Sequence, residues 1–108
     1  MVRVGERVGA VLSSTGDEVL FLGYGVYEGD AVPREAVGFM ADALRGYGHK
    51  NPCLLLDSGK RVFGCECWWG SEACVREMLD GYRALGRSVV ETDIDSARQD
   101  FLKGAEGA

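Results

Sequence analysis

Within the seven residues Gly64-Cys65-Glu66-Cys67-Trp68-Trp69-Gly70 stand both tryptophans of the chain, two of its four cysteines and one carboxylate. Indole rings stack on flat ligands or pack in interfaces, and an acid inside an apolar run needs a partner, so binding is first sought here. Read as one strand continuing from Lys60, the side chains alternate between two faces. Phe63, Cys65, Cys67 and Trp69 then share an apolar, core-facing side, and Val62, Gly64, Glu66 and Trp68 share the other. That second side sets a stacking plate, Trp68, and a hydrogen-bond acceptor, Glu66, beside a glycine that leaves room for a small ligand. The competing expectation is that Trp68 covers a sheet edge or subunit contact and Glu66 pairs with an arginine.

Gly23-Tyr24-Gly25-Val26-Tyr27-Glu28-Gly29-Asp30 is the second unusual run. Its spacing is not that of a dinucleotide fingerprint, and a loop follows where a helix should begin. Tyr24 and Tyr27, flanked by glycines, can offer flat rings and bare amides to a purine or a phosphate; their alternative is to pack on a twisted strand. Asn51, in the turn His49-Lys50-Asn51-Pro52, can bond a ligand or cap a strand. Arg34, Arg61, Arg76 and Arg98 are the cations available to a phosphate. The candidate ligand-binding set is therefore Trp68, Glu66, Tyr24, Tyr27, Asp30, Asn51 and Arg61.

The cysteine spacing is Cys53, Cys65-x-Cys67 and Cys74. Zinc sites commonly use Cys-x-x-Cys knuckles, which this spacing does not reproduce, and free cysteine is often a small buried hydrophobe. A small zinc or redox protein using Cys65, Cys67 and Cys74 stays open as an alternative. No base is tied to a cysteine, no carboxylate spacing marks a hard-metal site, and a single histidine, His49, leaves little for acid–base work. Neither an enzyme nor a bound metal or cofactor is expected.

These segments need a frame. Arg7 to Ser13 and Glu18 to Tyr27 read as strands joined by Ser14-Thr15-Gly16-Asp17, with Glu28 to Val32 as a loop. Pro33 to Tyr47 reads as a helix, with Val37, Met40, Ala41 and Leu44 as its buried stripe. Cys53 to Asp57 and Lys60 to Cys67 form a hairpin about a two-residue Ser58-Gly59 turn, which would pair Leu56 with Arg61 and Leu54 with Phe63. Ser71 caps a second helix whose apolar face is Cys74, Val75, Met78, Leu79 and Tyr82. Arg87 to Thr92 is a fifth strand, and Asp93 or Asp95 caps a last helix with Ile94, Ala97 and Phe101 on one side. The expected fold is a single compact α+β domain over 1–103, ββ-α-ββ-α-β-α, with an antiparallel or mixed sheet of about five strands and two to three helices. Residues 104–108 are expected to be a flexible tail.

At 108 residues, 46% hydrophobic and 27% charged, the composition is that of one ordinary globular domain. The net charge of −5 comes without a lysine or arginine cluster, which argues against a nucleic-acid polymer as partner. No run approaches the ~20 apolar residues that span a bilayer, and the charged Met1 to Arg7 lacks a signal-peptide core. A cytoplasmic location with reduced thiols and no membrane partner is expected.

Gly25-Val26-Tyr27-Glu28-Gly29-Asp30, Asn51-Pro52, Leu56-Asp57-x-Gly59 and Gly64-Cys65-Glu66-Cys67-Trp68-Trp69-Gly70 together resemble a family of small phage and prophage proteins of mostly unassigned function. The resemblance covers residues 23 to about 80, and no site is carried over from it. Small acidic phage proteins that oligomerise include nucleotide sponges, which sequester cyclic signalling nucleotides of host defence. The resemblance thus implies a non-catalytic, homo-oligomeric protein in the host cytoplasm that binds a nucleotide-type ligand, cyclic or linear. The alternative is an interaction module whose exposed aromatics assemble with protein.

Overall fold

The computed structural model describes residues 2–106. Their order is β1 (Arg7–Ser14), β2 (Glu18–Ala31), α1 (Phe39–Gly46), β3 (Asn51–Leu56), β4 (Arg61–Phe63), β5 (Trp68–Ser71), α2 (Glu72–Ala84), β6 (Ser88–Glu91) and α3 (Ile94–Glu106). The α+β class holds, as ββ-α-βββ-α-β-α. Five strands follow the order β4-β3-β2-β1-β5, antiparallel throughout, and β6 joins β2 in parallel, so the sheet is mixed. No helix of the described residues is long and apolar enough to cross a membrane.

Strand β2 organises the sheet because its 14 residues hold two neighbours end to end on one edge. Strand β6 pairs with Glu18 to Phe21 and β3 with Gly25 to Ala31. The carboxyl ends of β3 and β6 therefore point toward each other, and the sheet opens between them at Leu22 to Tyr24. One face carries Val8, Ala10, Leu22, Leu54, Leu56 and Val62, with Ile94 and Ala97 of α3 against them. The other buries Val11, Val19 and Phe21 under Val75 and Leu79 of α2. Ala36 and Ala41 cover Cys53 and Phe63 nearby.

Five sequence expectations need correction. The first helix begins at Phe39 rather than Pro33, because Gly38 takes φ 111°, which no helix interior accommodates. Strand β2 continues through Glu28 to Ala31, where a loop is expected, since a bulge between Tyr27 and Gly29 lets pairing with β3 resume. The β3–β4 turn holds three residues, Asp57-Ser58-Gly59, with Gly59 at φ 92° and Leu56 N–H donating to the Lys60 carbonyl. Leu54 consequently faces Val62, and Cys53 faces Phe63, one step from the two-residue register. Helix α2 is capped by Ser71 as expected, its Oγ accepting from Cys74 N–H at 3.2 Å, but it buries Val75 and Leu79 and leaves Cys74 exposed. Part of the segment expected as a tail, through Glu106, belongs to α3; residues 107 and 108 lie outside the described residues.

Candidate functional site: a charged groove beside the β2 bulge

The alternation expected from Lys60 to Trp69 stops at Phe63. Residues 64–67 form a turn, closed by Glu66 N–H donating to the Phe63 carbonyl at 2.8 Å. Asn51 holds it from outside, its Oδ1 accepting from Cys65 N–H at 2.6 Å, and the Glu66 carboxylate accepts from Phe63 N–H at 3.2 Å. Glu66 and Trp68 therefore do not share a ligand-facing surface. Glu66 turns inward to Arg98 of α3, with side chains 8% and 12% exposed and two bonds of 2.7 Å. Trp68 sits on β5 opposite Val11, 52% exposed, on the rim of a cavity with Met78 and Tyr82. Cys65 packs with Phe63 and Cys53, whereas Cys67 and Trp69 join the cluster on the opposite face. The three cysteines of the zinc alternative are thus dispersed, and among the described residues no three Cys, His, Asp or Glu side chains group as metal ligands.

The remaining candidates also have partners within the chain. The Tyr24 ring meets Phe21 edge-on at 4.9 Å between centroids, and the Arg76 guanidinium lies 4.8 Å from its centroid. Tyr27 stacks on Trp69 at 5.3 Å and donates its hydroxyl to Asp30 at 2.6 Å, a bond that raises the phenol above its ordinary pKa. Arg61 donates to Glu28 at 2.9 Å. Of the seven, Asp30 and Arg61 come together on one cavity, and Tyr27 reaches it through Asp30.

That cavity, of about 610 Å³, lies along the bulged end of β2 between β4 and the segment leading to α1. The bulge creates its chemistry. By inserting Glu28 between Tyr27 and Gly29 it aims that carboxylate at Arg61 and at the Cys53 thiol, whose Sγ donates to it at 3.7 Å. Burial, then the charge of Glu28, pushes the Cys53 thiol up to about 11, so it stays protonated and poorly nucleophilic at neutral pH. Arg34 and Lys50 complete the rim, and among the described residues neither has a carboxylate partner. The groove thus sets Arg34, Lys50 and Arg61 against Glu28, Asp30 and Glu35, with no net charge, in a chain of net −5. No protein-family model, curated protein or solved structure matches this chain.

The opening between β3 and β6 has a different character. Its roughly 350 Å³ is lined by Asp57, Glu91 and Asp93 against the single Lys60, whose ammonium is held by Asp95. Phosphate is repelled there and tolerated beside the bulge. Of the groove residues, Lys50 and Glu28 escape sequence reasoning as ligand groups. Lys50 reads as a turn residue, and the bulge that aims Glu28 has only Gly29 as a signal.

Proposed function

We propose that this protein is a non-catalytic binding protein that captures a small anionic ligand of nucleotide type in the groove beside the β2 bulge. The observation that carries the proposal is the convergence of Arg34 and Lys50, both without a carboxylate partner among the described residues, with Arg61 and Asp30 on one cavity. Two or three cations give a phosphate charge-assisted hydrogen bonds without an extended basic surface. Asp30, held by Tyr27, is an acceptor for ribose hydroxyls. Tyr47 and His49, both exposed with rings 6.1 Å apart, lie on the loop that leads to Lys50 and give a base flat surfaces to meet. The protonated Cys53 favours binding over covalent chemistry.

On the resemblance carried by Cys65 to Gly70, the ligand is a signalling nucleotide of host defence and the setting a host cytoplasm. Titration calorimetry against cyclic and linear nucleotides tests the proposal. We expect binding that an Arg34→Glu, Lys50→Glu double variant weakens at least ~10-fold, about 1.4 kcal/mol. Absence of heat with every nucleotide of the panel at tens of micromolar protein, or unaltered affinity in the double variant, overturns it.

A further inference from the structure

We propose that the face formed by α1 and α3 is the interface through which two copies of this chain pair. Helix α2 buries Val75 and Leu79, whereas α1 and α3, beyond Ala41 and Ile94, leave large apolar side chains exposed. Phe39 is 85% exposed and Met40 60% on α1, and Phe101 is 53% exposed on α3, with Leu102 exposed beside it. Helix α3 is anchored through its first turns by Ile94 and Arg98, and from Gln99 to Gly104 every residue is exposed. A Cβ added at Gly38 would stand 3.1 Å from the Phe101 ring, and Gly38, Phe39, Met40 and Phe101 line one cavity, so the two helices form one surface. A helix of this length is marginal in water without tertiary packing, so its outer half gains from a cover.

The occupant follows from area, shape and charge. At ~200 Å² for a whole large apolar side chain, these four side chains expose about 490 Å². That is about three-fifths of the ~800 Å² each partner buries in a standard interface, within the ~56–65% apolar share of such interfaces. The same patch holds a projecting knob, Phe39, and a groove of about 460 Å³ floored by Ile94, Ala97 and Arg98. A two-fold interface demands this combination, because one surface must supply both the insert and its socket. The charges in that groove, Glu66 and Arg98, are paired with each other, so two chains of net −5 can meet here without opposing unpaired like charges.

Sedimentation velocity on the wild type and three variants tests this. We expect a species of twice 11.7 kDa at about 100 µM chain, and 11.7 kDa for Phe39→Glu at the same concentration with unchanged far-UV circular dichroism. Phe39 has no burial to lose, so its substitution spares the monomer fold, and Met40→Glu provides an independent second break. Trp68→Arg, on another part of the surface, is expected to keep the dimer. A wild type that stays at 11.7 kDa, a Phe39→Glu protein that still dimerises, or dissociation by Trp68→Arg alone overturns the proposal. A wild-type monomer that floats with lipid vesicles would assign the face to a membrane surface instead.

Discussion

Replacing Arg98 with alanine should be among the most damaging single changes away from the hydrophobic core. Arg98 and Glu66 are nearly buried, joined by two 2.7 Å bonds, and Arg98 also donates to the Arg61 carbonyl at 3.0 Å. Removing the guanidinium leaves a buried carboxylate with only the Phe63 amide, and breaking a buried pair from one side typically costs ~3–5 kcal/mol. The lower end applies because Glu66 keeps the Phe63 amide as a hydrogen-bond partner, so the expected loss is about 3 kcal/mol. For a domain of this size that is a large fraction of the ~5–15 kcal/mol total, and at ~4–8 °C per kcal/mol it lowers Tm by roughly 12–24 °C. Urea unfolding followed by indole emission reads it directly, since Trp68 and Trp69 adjoin the turn. An Arg98→Met, Glu66→Gln double variant should lose well under the sum of its singles, because neither partner is then left charged alone. A loss below ~1 kcal/mol for Arg98→Ala would make the pair no stronger than a surface salt bridge and refute the account.

Three further perturbations separate backbone packing from thiol chemistry. Gly25→Ala should abolish folding or cost more than ~4 kcal/mol by thermal melt, because its methyl would stand 2.6 Å from Leu56 Cα and collide with the Leu55 carbonyl, all backbone of β3. Gly81→Ala, in an exposed turn of α2 with open space around it, should instead raise stability by about 0.5–1 kcal/mol in the same assay. Disulfide-exchange labelling at pH 7.5 should modify exposed Cys74 first, while Cys53 and Cys67, with thiols pushed up to about 11 and about 12 mainly by burial, stay unreactive until the protein unfolds. Because their folded values lie above the ordinary 9.0, the folded state holds these protons more tightly, so stability should fall as pH rises from about 9 through 12. Equal reactivity of all four thiols in the native protein would contradict that burial.

What the sequence made legible was local. The Ser71 cap, the apolar runs of β1 and β3 bounded by turn residues, and the short strand before α3 are each decided within a few residues, by capping and turn chemistry. The 64–67 turn is not local. Alternation runs through it unbroken on paper, and what bends the chain is Asn51, 14 residues upstream, and Glu66 clamped by an arginine 32 residues downstream. The first helix misleads for the opposite reason: its periodic stripe is genuine only from Ala41 onward, Met40 being exposed, and Gly38 outweighs the helix signal of Pro33. The bulge at Glu28 shifts pairing by one residue, a change that hydropathy cannot register because both phases place polar residues outside.

Residues that stand out in the sequence and residues that can bind a ligand are largely different sets. Glu66, Asn51, Tyr27 and Trp69 are unusual for their surroundings because each fastens one segment to another: turn to α3, β3 to turn, β2 to β5. The groove borrows its order from those fastenings but draws its free charge from Arg34 and Lys50, ordinary surface residues by type. Substitutions at the two sets should therefore diverge. Charge reversal on the rim should change ligand affinity with the fold intact, whereas Asn51→Ala should release the turn and lower stability by about 1–3 kcal/mol, the penalty for a half-buried amide left without its acceptor. The CECWW motif is best understood as the lock that holds the sheet and α3 together, and the proposed ligand site as the bulged edge that the lock keeps in place.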